Sequence, residues 1–282
     1  SSRSDLGEDA VSLRGSVGRR ERFVGRAQPV ERGSTLHVDR QRLQTGEHRG
    51  GIVGRVGHRH LWIELAAGNG CIVVDSAGKR YLDFGAGIAV SGLGHAHPAV
   101  TAALHAHADG LVHTSNLYWT EPMVRLAERL VGATGMERAF FCNSGTEAVE
   151  AALKLGRKAR PGRARVVVCN GAFHGRTFGA LSATMQESYQ APFRPLLAGF
   201  VAVPFGDCAA ASAAIDADTA VVLVEPIQGE GGVRPAPAGF LAHLRECCDR
   251  SGALLVVDEA QSGVGRTGTF LAAQGEGEIG RA

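Results

Sequence analysis

The second half of the 282-residue sequence alternates short apolar runs with longer stretches in which apolar residues recur every three to four positions. A short apolar run bounded by turn residues predicts a buried strand, and the 3.6-residue recurrence predicts an amphipathic helix. Strands are therefore expected at residues 139–142, 165–169, 200–203, 219–225 and 253–258, with helices at 145–160, 208–215 and 239–251. Strands apolar on both faces are covered on both faces, which places them in a mostly parallel sheet flanked by helices. The fold class read from this pattern is α/β.

The first half is patterned differently. Residues 71–75 and 80–84, with a turn at 76–79, predict a small antiparallel hairpin in an N-terminal lobe. The Gly- and His-rich stretch 85–98 predicts a loop leading into a helix at about 99–107. A further helix opens at Glu121-Pro122, with Met123, Leu126, Ala127 and Leu130 at i, i+3, i+4 and i+7. Residues 1–59 have no sustained period, and the first sixty residues hold twelve arginines against seven acids. That segment is expected to be a disordered or out-of-frame extension rather than a functional basic arm. The organisation expected is thus an extension over 1–59, an N-terminal lobe and linking helix over 60–120, and a large domain over 121–282.

Composition narrows the class. At 44% hydrophobic residues the chain can build a core, while its longest apolar runs, such as 219–224, are far too short to cross a membrane. With no charged-then-apolar segment at the start, the expectation is a cytoplasmic protein without a membrane or nucleic-acid partner. Six cysteines without CxxC spacing point to reduced, mostly buried thiols, and the Cys247-Cys248 pair to helix packing.

Two strand ends carry the chemistry. Residues 253–257 are apolar and run into Asp258-Glu259-Ala260-Gln261, which sets a carboxylate at the carboxyl end of a buried strand, where open α/β sheets bind ligands. Residues 139–142 run through Asn143 into Ser144-Gly145-Thr146 at the start of a helix, a ready anion site. An acid at one strand end and an anion cradle at another suit a cofactor with a cationic ring and a phosphate, namely pyridoxal phosphate. Read locally, the same residues are a strand-end Asp capping a turn and a Ser N-cap whose capping box is completed by Glu147.

With Phe173-His174-Gly175-Arg176-Thr177 and Glu225-Pro226-Ile227-Gln228-Gly229-Glu230-Gly231-Gly232 added, the sequence resembles the class III pyridoxal-phosphate aminotransferases. The run His113-Thr114-Ser115-Asn116-Leu117-Tyr118 and residues 173–184 are most similar to their acetylornithine/ornithine branch. The resemblance spans residues 62–274. It implies the large domain of the fold-type I transferases, incomplete at its C-terminal side, with a small N-terminal lobe. It also implies transamination between an ω-amino substrate such as N-acetylornithine and 2-oxoglutarate, by a homodimer.

By the same resemblance Ser144, Gly145 and Thr146 hold the phosphate, Phe173 lies against the ring face and His174 belongs to the cofactor site. Asp258 pairs with the ring nitrogen and keeps it protonated, and Gln261 reaches the phenolic oxygen. Arg176 offers its planar fork to a substrate carboxylate. Glu230 matches a gating residue whose arginine partner has no counterpart in this sequence. The family also requires a lysine bonded covalently to the cofactor. The sequence holds only Lys79, in the hairpin turn, and Lys154 and Lys158, along the helix after the anion site. None matches, so the catalytic lysine is expected in sequence beyond these 282 residues, and this chain is expected to be inactive.

Two motifs are set aside. Gly263-Val264-Gly265-Arg266-Thr267-Gly268 fits GxGxxG but opens no clear helix, as a dinucleotide site would require. His95-Ala96-His97 and His105-Ala106-His107 lack companion ligands at metal-site spacing, so no metal is expected. Alternatives left open are 4-aminobutyrate or ornithine as donor, a dialkylglycine decarboxylase-like reaction, and a non-catalytic fragment.

Overall fold

The computed structural model describes residues 63–276. The extension expected over 1–59 and the last six residues lie outside the described residues.

The large sheet has four strands in the order β5-β4-β6-β9: β4 (Arg165–Cys169), β5 (Phe200–Val203), β6 (Thr219–Val224) and β9 (Leu254–Val257). All three pairings are parallel, as the two-sided apolar runs predict. Side chains alternate across the sheet with period two. Val167, Cys169, Val222 and Val224 face one layer, where they meet Ala211 and Ile215 together with Phe240, Leu241, Leu244 and Cys248. Val166, Val168, Val221 and Leu223 face the other, against Val149, Leu153, Ala180 and Ala183.

The first layer is built from α7 (Cys208–Ala214) and α8 (Phe240–Ser251), the second from α4 (Gly145–Ala159) and the short α5 (Phe178–Ala183). Cys247 and Cys248 are both buried on α8, consistent with helix packing. Gly156 lets α4 settle on β6, because a Cβ there would overlap the Val221 side chain. The short α6 (Glu187–Gln190) follows α5, and β7 (Ile227–Gln228) pairs with β8 (Arg234–Pro235) beyond β6.

Toward the N-terminus, β1 (Leu65–Asn69), β2 (Ile72–Asp75) and β3 (Arg80–Leu82) form an antiparallel sheet. The hairpin was expected; β1, of sequence Leu-Ala-Ala-Gly-Asn, lacks the alternation that would have announced it. Next come α1 (Ala86–Ala89), a single turn of positive φ inside the stretch expected to be a loop, then α2 (Pro98–Ala108) and α3 (Glu121–Thr134). Each of the two longer helices has a proline in its first turn, where the missing N–H costs nothing.

Residues 139–142 are not a strand. A β ladder needs a neighbour to exchange backbone hydrogen bonds, and no described strand pairs with this segment. Phe140 and Phe141 consequently stay exposed.

Candidate active site

Because β4, β6 and β9 are parallel neighbours, the residues that follow them emerge at one edge of the sheet. Glu225 follows β6 and Asp258 follows β9, whose Asp258 N–H extends the ladder to the Val224 carbonyl at 2.8 Å. One Asp258 oxygen accepts the Ala260 N–H at 3.1 Å; the other lies 2.8 Å from His174 Nδ1. His174 is wholly buried beneath this carboxylate, and its Nε2 has no partner among the described residues.

Glu225 is the third member of this group. One of its oxygens accepts the Phe173 N–H at 3.0 Å. Burial pushes its carboxyl up to about 7, against the pull of His174 and the Phe173 N–H, while the Asp258 charge adds to the rise. Glu225 therefore keeps its proton to a higher pH than an ordinary carboxyl does. Cys169, at the end of β4, is pushed up to about 12 by burial and then by Glu225, which leaves it an inert core thiol.

These residues form one wall of a cleft of about 580 Å³. Of the expected site residues, Gly145, Thr146, Phe173, His174, Arg176, Asp258 and Gln261 line it, together with Glu225. Gly145 brings the start of α4 against the Asp258 turn, since a Cβ there would stand 3.3 Å from the Ala260 Cβ. The cleft thus sets helix N–H groups near a strand-end carboxylate. That donor set fits a group with an anion at one end and a cationic ring at the other.

Ser144 and Glu230 do not line the cleft. The Ser144 hydroxyl donates to Glu147 at 2.9 Å and accepts the Glu147 N–H at 3.3 Å, and the same carboxylate takes the Asn143 N–H at 2.9 Å. The capping box read locally from the sequence is therefore formed. Hydrogen bonds from Ser144 and then Asn143 hold the Glu147 carboxyl below its usual range. Glu230 instead accepts from Gln261 Nε2 at 3.3 Å.

Sequence reasoning missed Tyr189. Its ring lies under the Arg176 guanidinium at 4.7 Å and meets the Phe173 ring edge-on at 5.6 Å, so one aromatic supports both residues. Nothing in the spacing from Phe173 to Tyr189 signals this, because the chain returns through α5 before reaching it. Among the three lysines, Lys79 lies in the β2–β3 turn, with its ammonium over Tyr81. Lys154 and Lys158 lie well along α4, and none of the three lines the cleft. His95, from one of the histidine pairs, is paired with Asp83 at 2.7 Å.

The model of the class III aminotransferases matches residues 53–279. The acetylornithine aminotransferase of Mycolicibacterium smegmatis is 54% identical over 218 residues, covering 77% of this chain and 55% of that protein. That of Methanopyrus kandleri is 51% identical, covering 76% and 55%. This chain therefore spans little more than half the length of these relatives. Among solved structures, the Toxoplasma gondii ornithine aminotransferase superposes with a TM-score of 0.77 at 33% identity, covering 81% of this chain and 56% of that one. The N-acetylornithine aminotransferase of Stenotrophomonas maltophilia does so with 0.66 at 42%, covering 77% and 56%. With the parallel sheet, the cleft at its carboxyl edge and a family match over most of its length, this chain belongs to the class III aminotransferases.

Proposed function

We propose that the protein is a pyridoxal-phosphate-dependent aminotransferase that takes the amino group of N-acetylornithine, or a related ω-amino compound, and passes it to 2-oxoglutarate. The observation that carries this reading is the convergence of Gly145, Thr146, Phe173, Arg176 and Asp258 on one cleft from separate parts of the chain. The identity to acetylornithine aminotransferases supports the donor.

When bound, pyridoxal phosphate supplies a protonated pyridine ring able to accept electrons from a carbon that loses its proton. Gly145 and Thr146 offer N–H groups and a hydroxyl to the phosphate at the positive end of α4. Asp258, whose carboxylate is held by His174 at 2.8 Å, would pair with the ring nitrogen and keep it protonated. Phe173 and Gln261, which line the same cleft, would hold the ring and its phenolic oxygen respectively. Arg176, steadied on Tyr189, pairs with a substrate carboxylate through its planar fork. A proton-shuttling amine is the part that Lys79, Lys154 and Lys158 do not bring to the cleft. The 282 residues therefore bind the cofactor without a covalent bond and do not turn over.

The test fuses this chain to the C-terminal portion of the Mycolicibacterium smegmatis relative and assays glutamate formed from 2-oxoglutarate. Turnover with N-acetylornithine is expected, with Asp258→Asn losing at least a hundredfold in kcat, about 2.7 kcal/mol of barrier. Turnover with 4-aminobutyrate and not N-acetylornithine would replace the donor. For the chain alone, borohydride should trap no pyridoxal adduct; a stoichiometric one on Lys154 or Lys158 would refute the non-covalent reading.

A further inference from the structure

The loop that carries Arg176 is attached along its length to the helix whose first residues form the anion site. Thr146 and Glu150 lie four residues apart on α4 and so share a face. The Thr146 hydroxyl oxygen accepts the Arg176 N–H at 3.1 Å. One Glu150 oxygen accepts the Thr177 hydroxyl at 2.6 Å, the Gly179 N–H at 2.9 Å and the Ala180 N–H at 3.3 Å. Glu150 thereby takes up N–H groups at the start of α5, which Thr177 does not cap with its own side chain.

Both crossings are made by glycines. Gly175 has φ +125°, which a side chain rarely adopts, and a Cβ there would overlap the Thr146 hydroxyl. A Cβ at Gly179 would collide with the Glu150 carboxylate. The loop backbone is thus closed onto two α4 side chains, one of which lines the cleft. The far end is fastened independently: the buried Thr184 hydroxyl oxygen accepts the His174 N–H at 2.9 Å and lies 3.0 Å from the Gly175 carbonyl.

We propose that Glu150 is a positioning residue which, with Thr146, ties the Arg176 fork to the anion-holding end of α4, so that an anion bound at one site tightens the other. The physical link is the Thr146 hydroxyl. It has one proton to give and two lone pairs to receive. Donating that proton to an anion at the helix start polarises the oxygen and strengthens its bond from the Arg176 N–H. Glu150 carries the restraint on through residues 177–180. Whatever factor the phosphate-side anion contributes to carboxylate binding at Arg176 is returned in the opposite direction. This inference rests on the reading of Gly145 and Thr146 as the phosphate site.

Hydrogen exchange of the full 282-residue chain, with saturating inorganic phosphate against chloride at equal ionic strength, tests it. Phosphate should slow the amides of 145–147 and also those of 176–180, the latter at least fivefold. In Glu150→Ala the slowing at 145–147 should persist while that at 177–180 falls below twofold. Glu150→Gln, which keeps an acceptor oxygen, should restore it. Slowing confined to 145–147 in the unsubstituted chain would overturn the coupling while leaving the phosphate site standing, and this arm does not depend on either variant folding. No slowing at either place would remove the phosphate site and the coupling with it. Equal slowing in Glu150→Ala and the unsubstituted chain would remove Glu150 from the link.

Discussion

The longer helices before residue 135, α2 and α3, and the longer ones after residue 144, α4 and α8, are equally well formed, yet they bury very different surfaces. Neither α2 nor α3 buries a residue, and Leu104 on α2 is 66% exposed. In contrast, α8 buries Phe240, Leu241, Leu244, Cys247 and Cys248, and α4 buries Val149, Leu153 and Gly156. Local signals are as good in the first group as in the second. Both α2 and α3 start with proline in the first turn, and α3 ends on a left-handed Gly135. Caps and periodicity therefore decide that a helix exists, and a facing surface decides whether its apolar side stabilises anything. In the second group that surface is the parallel sheet.

This contrast is sharpened most by deleting one leucine from each group. Leu244→Ala, at a position 1% exposed between α8 and the sheet, should cost about 2–5 kcal/mol in urea unfolding, through lost burial and the cavity left. Leu104→Ala, on the open face of α2, is the smallest expected effect, within about 0.5 kcal/mol. Equal losses at the two sites would mean that α2 is covered as well as α8.

Between those extremes lies the buried carboxyl at the sheet edge. Burial raises Glu225 from its usual 4.5 to about 7, so the folded chain holds a proton that the unfolded chain has already released. Stability should accordingly fall as pH rises from about 4.5 to about 7, by at most roughly 3 kcal/mol, and change no further above that from this group. Glu225→Gln should flatten this part of the profile while keeping an acceptor for the Phe173 N–H. A variant whose unfolding free energy declines as steeply as before over this window would show that another group is responsible.

A smaller effect separates local from tertiary stabilisation within the second group. Ser144→Ala removes the capping box of α4 and should cost about 1 kcal/mol, typical of an N-cap. Because the Ser144 hydroxyl is engaged with Glu147 and Ser144 is not among the residues that line the cleft, pyridoxal phosphate affinity measured by fluorescence titration should change less than twofold. A tenfold loss of affinity with unchanged stability would put Ser144 in the cofactor site after all.

How far the sequence could be read followed from which interactions are local. Strands at 165–169 and 200–203 were legible to the residue, since a short apolar run bounded by turn residues marks a strand wherever it sits in the sheet; β4 is covered on both faces, whereas β5, at the sheet edge, buries only Val203. The strand expected at 139–142 was as apolar as the others and did not form, because strand pairing depends on a partner that a run of residues cannot specify. Phe173, Arg176 and Asp258 were legible through resemblance, as each sits in a distinctive short motif. Tyr189 and Glu150 were not, since neither sits in such a motif and their contacts reach across 13 to 30 positions.

What the sequence by itself determined is the set of elements, the class of sheet and the chemical types gathered at strand ends, because period, caps and turn residues act over a few neighbouring positions. Only the tertiary structure decided which of those groups meet. Parallel pairing of β4, β6 and β9 puts Glu225 and Asp258 at one edge, with His174 Nδ1 2.8 Å from the Asp258 carboxylate. The seating of α4 on β6 through Gly156 then lays Thr146 and Glu150 under the Arg176 loop. Long-range contact depends on how layers stack and on where a missing side chain lets two backbones approach, and neither is written in the spacing of residues along one segment.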